Sequence, residues 1–184
     1  PGQNTTTLCP TTDFDGQPIW RSGEEPDEAE VKKRGLEFHQ PYHAALAAAI
    51  ARVKAVHGFV VLYDCHSIRS NIPYLFEGKL PDFNIGTNQG TTCDLDLQQH
   101  VVDVCTQADA YTHVLNGRFK GGWTTRNYAN PAENIHVIQM ELAQSTYANE
   151  QDPWDYREEK ANALRPVLGK ILQGLEEVSL RKFS

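Results

Sequence analysis

The stretch Phe59-Val60-Val61-Leu62-Tyr63-Asp64-Cys65-His66-Ser67-Ile68-Arg69-Ser70 constrains the fold most, because an apolar, β-branched run breaks off into groups able to do chemistry. A short apolar run after a turn residue, here Gly58, suits a strand buried on both faces, as in the parallel sheets of α/β proteins. In such sheets ligands gather beyond the carboxyl ends of the strands. Side chains alternate along a strand, so Asp64 and His66 share one face and Cys65 takes the other.

The flanking sequence supplies the rest of an α/β rhythm. Residues 1–26 are rich in Thr, Pro, Gly and Asp and read as irregular, with at most short strands. From Glu25-Pro26-Asp27 the pattern turns helical, with Val31, Leu36, Phe38, Tyr42, Leu46, Ile50 and Val53 near helical spacing. Pro41 is expected to kink or split this helix, and His57-Gly58 to stop it. Ser67 to Thr92 lacks clear periodicity, and a segment of that length inside a compact domain is usually functional or disordered. Asp94 to Ala108 reads as a helix, and Tyr111 to Leu115 and Ile135 to Met140 as strands, the last carrying Glu141 at its end. Asp155 to Leu180 reads as an amphipathic helix covering the sheet, with Pro166 at an irregular start or kink.

A chain of 184 residues suits one domain over 1–184, and a net charge of -7 argues against a nucleic-acid surface. An anionic ligand would then need local cations. No apolar run reaches the length of a transmembrane helix, and no signal peptide is recognisable at the start, so no membrane association and a cytoplasmic location are expected. Cys9, Cys65, Cys93 and Cys105 are scattered without metal-ligand spacing and are expected as free thiols, Cys65 as a small packing residue. Asn4-Thr5-Thr6 matches a glycosylation sequon, and its bland reading is preferred. The opening Pro1-Gly2-Gln3-Asn4 has neither Met nor a capping signal, as though the chain entered mid-loop.

Three places carry candidate chemistry. His66 suits a zinc ligand, with Asp64 as its carboxylate partner or a strand-end cap; the competing reading is a structural histidine. Glu141, in Gln139-Met140-Glu141-Leu142-Ala143, is either a general base whose apolar setting raises its pKa or an exposed acid opening a helix. Asn116-Gly117-Arg118-Phe119-Lys120-Gly121-Gly122-Trp123-Thr124-Thr125-Arg126 combines glycines that permit close approach with arginines suited to carboxylates; its bland reading is a solvated loop face. A Cys65–His66 nucleophilic pair is excluded by strand alternation. His39 and His43 lie four apart but straddle Pro41 without a zinc-protease frame, and read as structural or surface residues.

The stretches PGQNTTTLCPTTDFDG, DCHSIRS, DFNIGTNQG, HVLNGRFKGGWTTRNYA and IQMELAQSTY together resemble the N-formylglutamate amidohydrolase (deformylase) family, related to zinc carboxypeptidases. The resemblance implies a three-layer α/β/α fold with a mixed, mostly parallel sheet, and zinc-dependent hydrolysis of N-formyl-L-glutamate to formate and L-glutamate in histidine degradation. It puts one zinc ion on His66, the general base and acid on Glu141, and the glutamate carboxylates on Arg118 and Arg126, with Arg69 and Asn116 as further substrate-binding candidates. It also implies an upstream segment with two more zinc ligands and a first strand or two. The chain alone is therefore expected to be impaired, with an exposed sheet edge. Two other readings fit the residues: a zinc amidohydrolase for another N-acyl amino acid, and a noncatalytic carboxylate-binding domain. Oligomeric state is not legible.

Overall fold

The computed structural model describes residues 7–184; the Asn4 sequon lies outside them. The described chain divides into two compact units, one of residues up to Ala49 together with Asn71–Lys79, the other of Ile50–Ser70 and Leu80–Ser184.

In the smaller unit, helix α1 (Glu28–Arg34) starts where Asp27 accepts the Glu30 N–H at 2.8 Å, with acidic residues in its first turn. A π-helical turn, Gly35–His39, follows, closed by the Gln40 N–H on the Gly35 carbonyl. Helix α2 (Gln40–His57) continues from it into the larger unit. The expected break at Pro41 is thus a one-residue widening: proline has no N–H, its ring crowds the carbonyl four residues back, and a π turn relieves both in place of a split. Leu36, Phe38 and Tyr42 are exposed, so the apolar spacing that signalled this helix does not mark a buried face here. The His39 and His43 rings lie against each other with centroids 4.2 Å apart. Gly58 stops α2 as expected, with φ of 76° and its N–H on the Lys54 carbonyl.

The larger unit is built on a four-stranded sheet of order β1-β4-β2-β3, comprising β1 (Val60–Ile68), β2 (Phe83–Gly86), β3 (His113–Leu115) and β4 (Ile135–Ala143). The β1–β4 and β2–β3 pairs are parallel and β2–β4 is antiparallel, giving the mixed, mostly parallel sheet of an α/β fold. Helices α3 (Leu95–Thr106) and α5 (Glu158–Phe183) cover one face, where Leu97, Val101, Cys105, Leu164, Ile171, Leu175 and Val178 pack with Phe83, Ile85, Ile138 and Met140. The two helices meet where the His100 ring lies over Gly174; a Cβ there would come within 2.0 Å of it. Helix α5 runs on through Pro166.

Three expectations are corrected. Strand β1 is not buried on both faces: within the described residues it pairs only with β4, and its exposure rises from Val61 to Ser67. The segment from Ser67 to Thr92 hides β2, whose four residues are all buried. Cys65 is exposed on the edge strand and does not pack in a core. All four cysteines are free, as expected. No helix among the described residues is long and apolar enough to cross a membrane.

Candidate active site

The face of the sheet opposite α3 and α5 carries the polar residues. Parallel pairing sets Asp64 beside Gln139 and His66 beside Glu141, while the antiparallel neighbour sets Asn84 beside Glu141. Paired residues in a sheet point to the same side, so the five side chains share one face. The strands run past the expected ends, because the β1–β4 ladder continues to Ile68 and Ala143; His66 and Glu141 therefore sit inside strands and not at a rim. Glu141 is a strand residue, and the exposed first-turn alternative is excluded.

His66 Nε2 lies 3.1 Å from Asp64 Oδ1, and His66 Nδ1 lies 3.9 Å from Glu141 Oε2. The hydrogen bond to Asp64 draws the imidazole pKa above its ordinary value, burial opposing it. Glu141 is buried, and that burial pushes its carboxyl up to about 7, the nearby His66 opposing and Asp64 reinforcing the shift. The carboxyl thus holds a proton near neutrality, the property a proton carrier needs. Its backbone carbonyl accepts from Asn84 Nδ2 at 3.0 Å. The second oxygen of Asp64 is buried without a partner.

The glycine-rich loop docks on this face from β3. Its last part forms helix α4 (Trp123–Tyr128), and Gly121, with φ of 109°, lies so close to Gly86 that a Cβ on Gly86 would come within 2.5 Å of the Gly121 nitrogen. Asn116, with φ of 53°, accepts the Thr87 N–H at 2.9 Å and donates to Thr87 Oγ1 at 2.9 Å, which engages it in shaping the turn after β2. Arg126 donates through Nη1 to the Gly121 carbonyl, within its own loop. Arg118 lies over the Phe119 ring at 5.4 Å, and Arg69, three residues beyond His66, over Trp154 at 5.9 Å. Direct contact thus joins His66 to Glu141, and the arginines stand on the segments that follow β1 and β3.

Beyond the site, the Glu150 carboxylate gathers the Ser70 N–H at 2.6 Å, the Ser145 N–H at 2.9 Å and the Ser70 hydroxyl. Ser67 and Tyr147 hydroxyls meet at 2.7 Å. Sequence reasoning overlooked Asn84 and Gln139. Their signal is a polar residue at an alternate position of an apolar strand, two residues from Glu141 in the case of Gln139.

No group of three or more His, Cys, Asp or Glu among the described residues is arranged to hold a metal ion. The cluster supplies a single imidazole, one of whose nitrogens is engaged by Asp64. A catalytic zinc site takes three protein ligands, so these residues alone do not fit it.

The model of the N-formylglutamate amidohydrolase family matches residues 1–148. The chain belongs to the N-formylglutamate amidohydrolase family. It is 48% identical over 171 residues to the N-formylglutamate deformylases of Pseudomonas aeruginosa and Pseudomonas putida, covering 93% of this chain. The chain spans 64% of the length of these curated relatives. The crystal structure of N-formylglutamate amidohydrolase from Ralstonia eutropha JMP134 is similar with a TM-score of 0.75 at 27% identity, over 91% of this chain and 61% of that one.

Proposed function

We propose that the protein carrying this chain hydrolyses N-formyl-L-glutamate to formate and L-glutamate, a step of histidine degradation, and that this chain supplies the proton-transfer and substrate-binding residues. The observation that carries the reading is the buried Glu141 carboxyl, with its proton affinity near neutrality, beside His66 on the adjacent strand. Glu141 takes a proton from the attacking water as the new C–O bond forms, and returns it to the nitrogen as the C–N bond breaks. Asp64 orients the His66 ring. Arg118, Arg126 and Arg69 hold the two carboxylates of the glutamate moiety, where planar two-point recognition suits a guanidinium and lets an acidic protein take an acidic substrate. Asn116 serves this recognition through the turn it shapes. Zinc is part of the proposal with His66 as the donor this chain offers, and no step above is routed through the metal.

The test is formate release from N-formyl-L-glutamate by the complete protein, with Glu141→Gln alongside and zinc removed and restored. The variant should lose about 10²–10⁴-fold in kcat, the range of general acid–base catalysis. Wild-type turnover in Glu141→Gln would sink the role of Glu141. Release only from other N-acyl amino acids would replace the substrate.

A further inference from the structure

The side chain of Gln139 is 4% exposed and has both polar ends engaged. Its Oε1 accepts the Gly122 N–H at 2.7 Å and the Thr125 hydroxyl at 3.3 Å, at the start of α4; its Nε2 donates to Glu141 Oε2 across a long 3.4 Å contact. The carboxamide cannot be reversed. Turning it over would set its NH₂ against the Gly122 N–H and its oxygen against the Glu141 carboxylate, so that two favourable contacts became two repulsive ones. Gly122 permits this approach, since a Cβ there would lie 3.2 Å from Gln139 Oε1.

We propose that Gln139 is a positioning residue that couples the Gly121–Arg126 segment to the Glu141 carboxylate. The inference rests on the proposed role of Glu141 and extends it. A carboxyl buried on a sheet face has rotational freedom that a single amide donor removes, and here that donor is itself held by the loop bearing Arg126. Seating of the loop and the aim of the carboxylate therefore change together. A plain packing role would need neither end of the amide.

The test measures kcat, KM and melting temperature for Gln139→Glu, Gln139→Met and Glu141→Gln in the complete protein with N-formyl-L-glutamate. Gln139→Glu keeps an acceptor for the Gly122 N–H and sets a second carboxyl against Glu141 in place of the fixed amide donor. It should lower kcat by about tenfold or more, as for loss of a hydrogen bond to a charged group, with KM within about twofold of wild type. Gln139→Met loses all three contacts at similar volume and should lower kcat and raise KM while the protein still folds. Wild-type kinetics in either Gln139 variant, or a kcat loss that tracks only a lowered melting temperature, would overturn the coupling. Glu141→Gln at the wild-type rate would remove the functional reading and the coupling with it, whereas an inactive Glu141→Gln beside an unchanged Gln139→Glu would sink the coupling alone.

Discussion

The two faces of β4 are made of alternate residues of one strand, yet they follow opposite rules. Ile138 and Met140 point into the layer under α3 and α5, where they pack in the apolar core with Leu97, Val101, Ile171 and Leu175. Gln139 and Glu141 point the other way and are buried too, but among Asp64, His66, Asn84 and the α4 segment. The first face contributes stability from removal of apolar surface from water. The second holds a carboxyl that would be better solvated in the unfolded chain, and so works against the fold. A strand can carry both because its period of two separates them completely, and the apolar face offsets the cost of the polar one.

The contrast can be broken most severely from the apolar side. Phe83→Ala, at a fully buried position of the central strand β2, should destabilise the protein by about 3–5 kcal/mol, read from urea or guanidinium denaturation. Glu141→Gln should move stability in the opposite direction. The folded-state carboxyl, at about 7 against an ordinary 4.5, binds its proton more tightly than the unfolded chain does. Stability therefore falls as pH rises from 4.5 through 7, and above that the native protein bears the full penalty. The substitution should add on the order of 1–3 kcal/mol at pH 8 and little at pH 4.5. An unchanged or lowered stability at pH 8 would show that the polar face is not a burden.

The smallest effect belongs to His136, on the apolar side of β4. Its Nδ1 accepts the Asp94 N–H at 3.3 Å, its ring stacks on Phe183 at 4.6 Å, and its Nε2 is buried without a partner. Burial holds its pKa below the ordinary 6.5, with Asp94 opposing and Lys182 reinforcing. The folded state thus resists the proton that the unfolded chain accepts, and stability present above 6.5 drains away as pH falls through the lower folded-state value. His136→Phe should flatten this acid limb in denaturation curves between pH 7.5 and 5.5. An unaltered slope would remove His136 from the account.

Much of this architecture was legible in the residues. Helices α3 and α5 and strand β4 follow apolar periodicity, and His66 and Glu141 stood out as ionisable groups where apolar runs end, although the strands run on past both. Strand β2 was hidden because it is four residues long and carries Asn84, whose burial is acceptable only because its Nδ2 donates to the Pro81 and Glu141 carbonyls. The adjacency of His66 and Glu141 was not legible either. It depends on pairing between strands that α3, β2, β3 and α4 separate in the chain, and no local pattern encodes that register. Pro41 shows the same limit locally: the residue announces a disturbance, but a split helix and a π turn both satisfy it.

The carboxylate of Glu150 prolongs the β1–β4 partnership beyond the last rung of its ladder. One side chain grips the peptide just after each strand, Ser70 on one side and Ser145 on the other. The two strands are thereby tied at their far ends like planks under a common crosspiece, and the segment bearing Arg69 shares one anchor with the segment that follows Glu141.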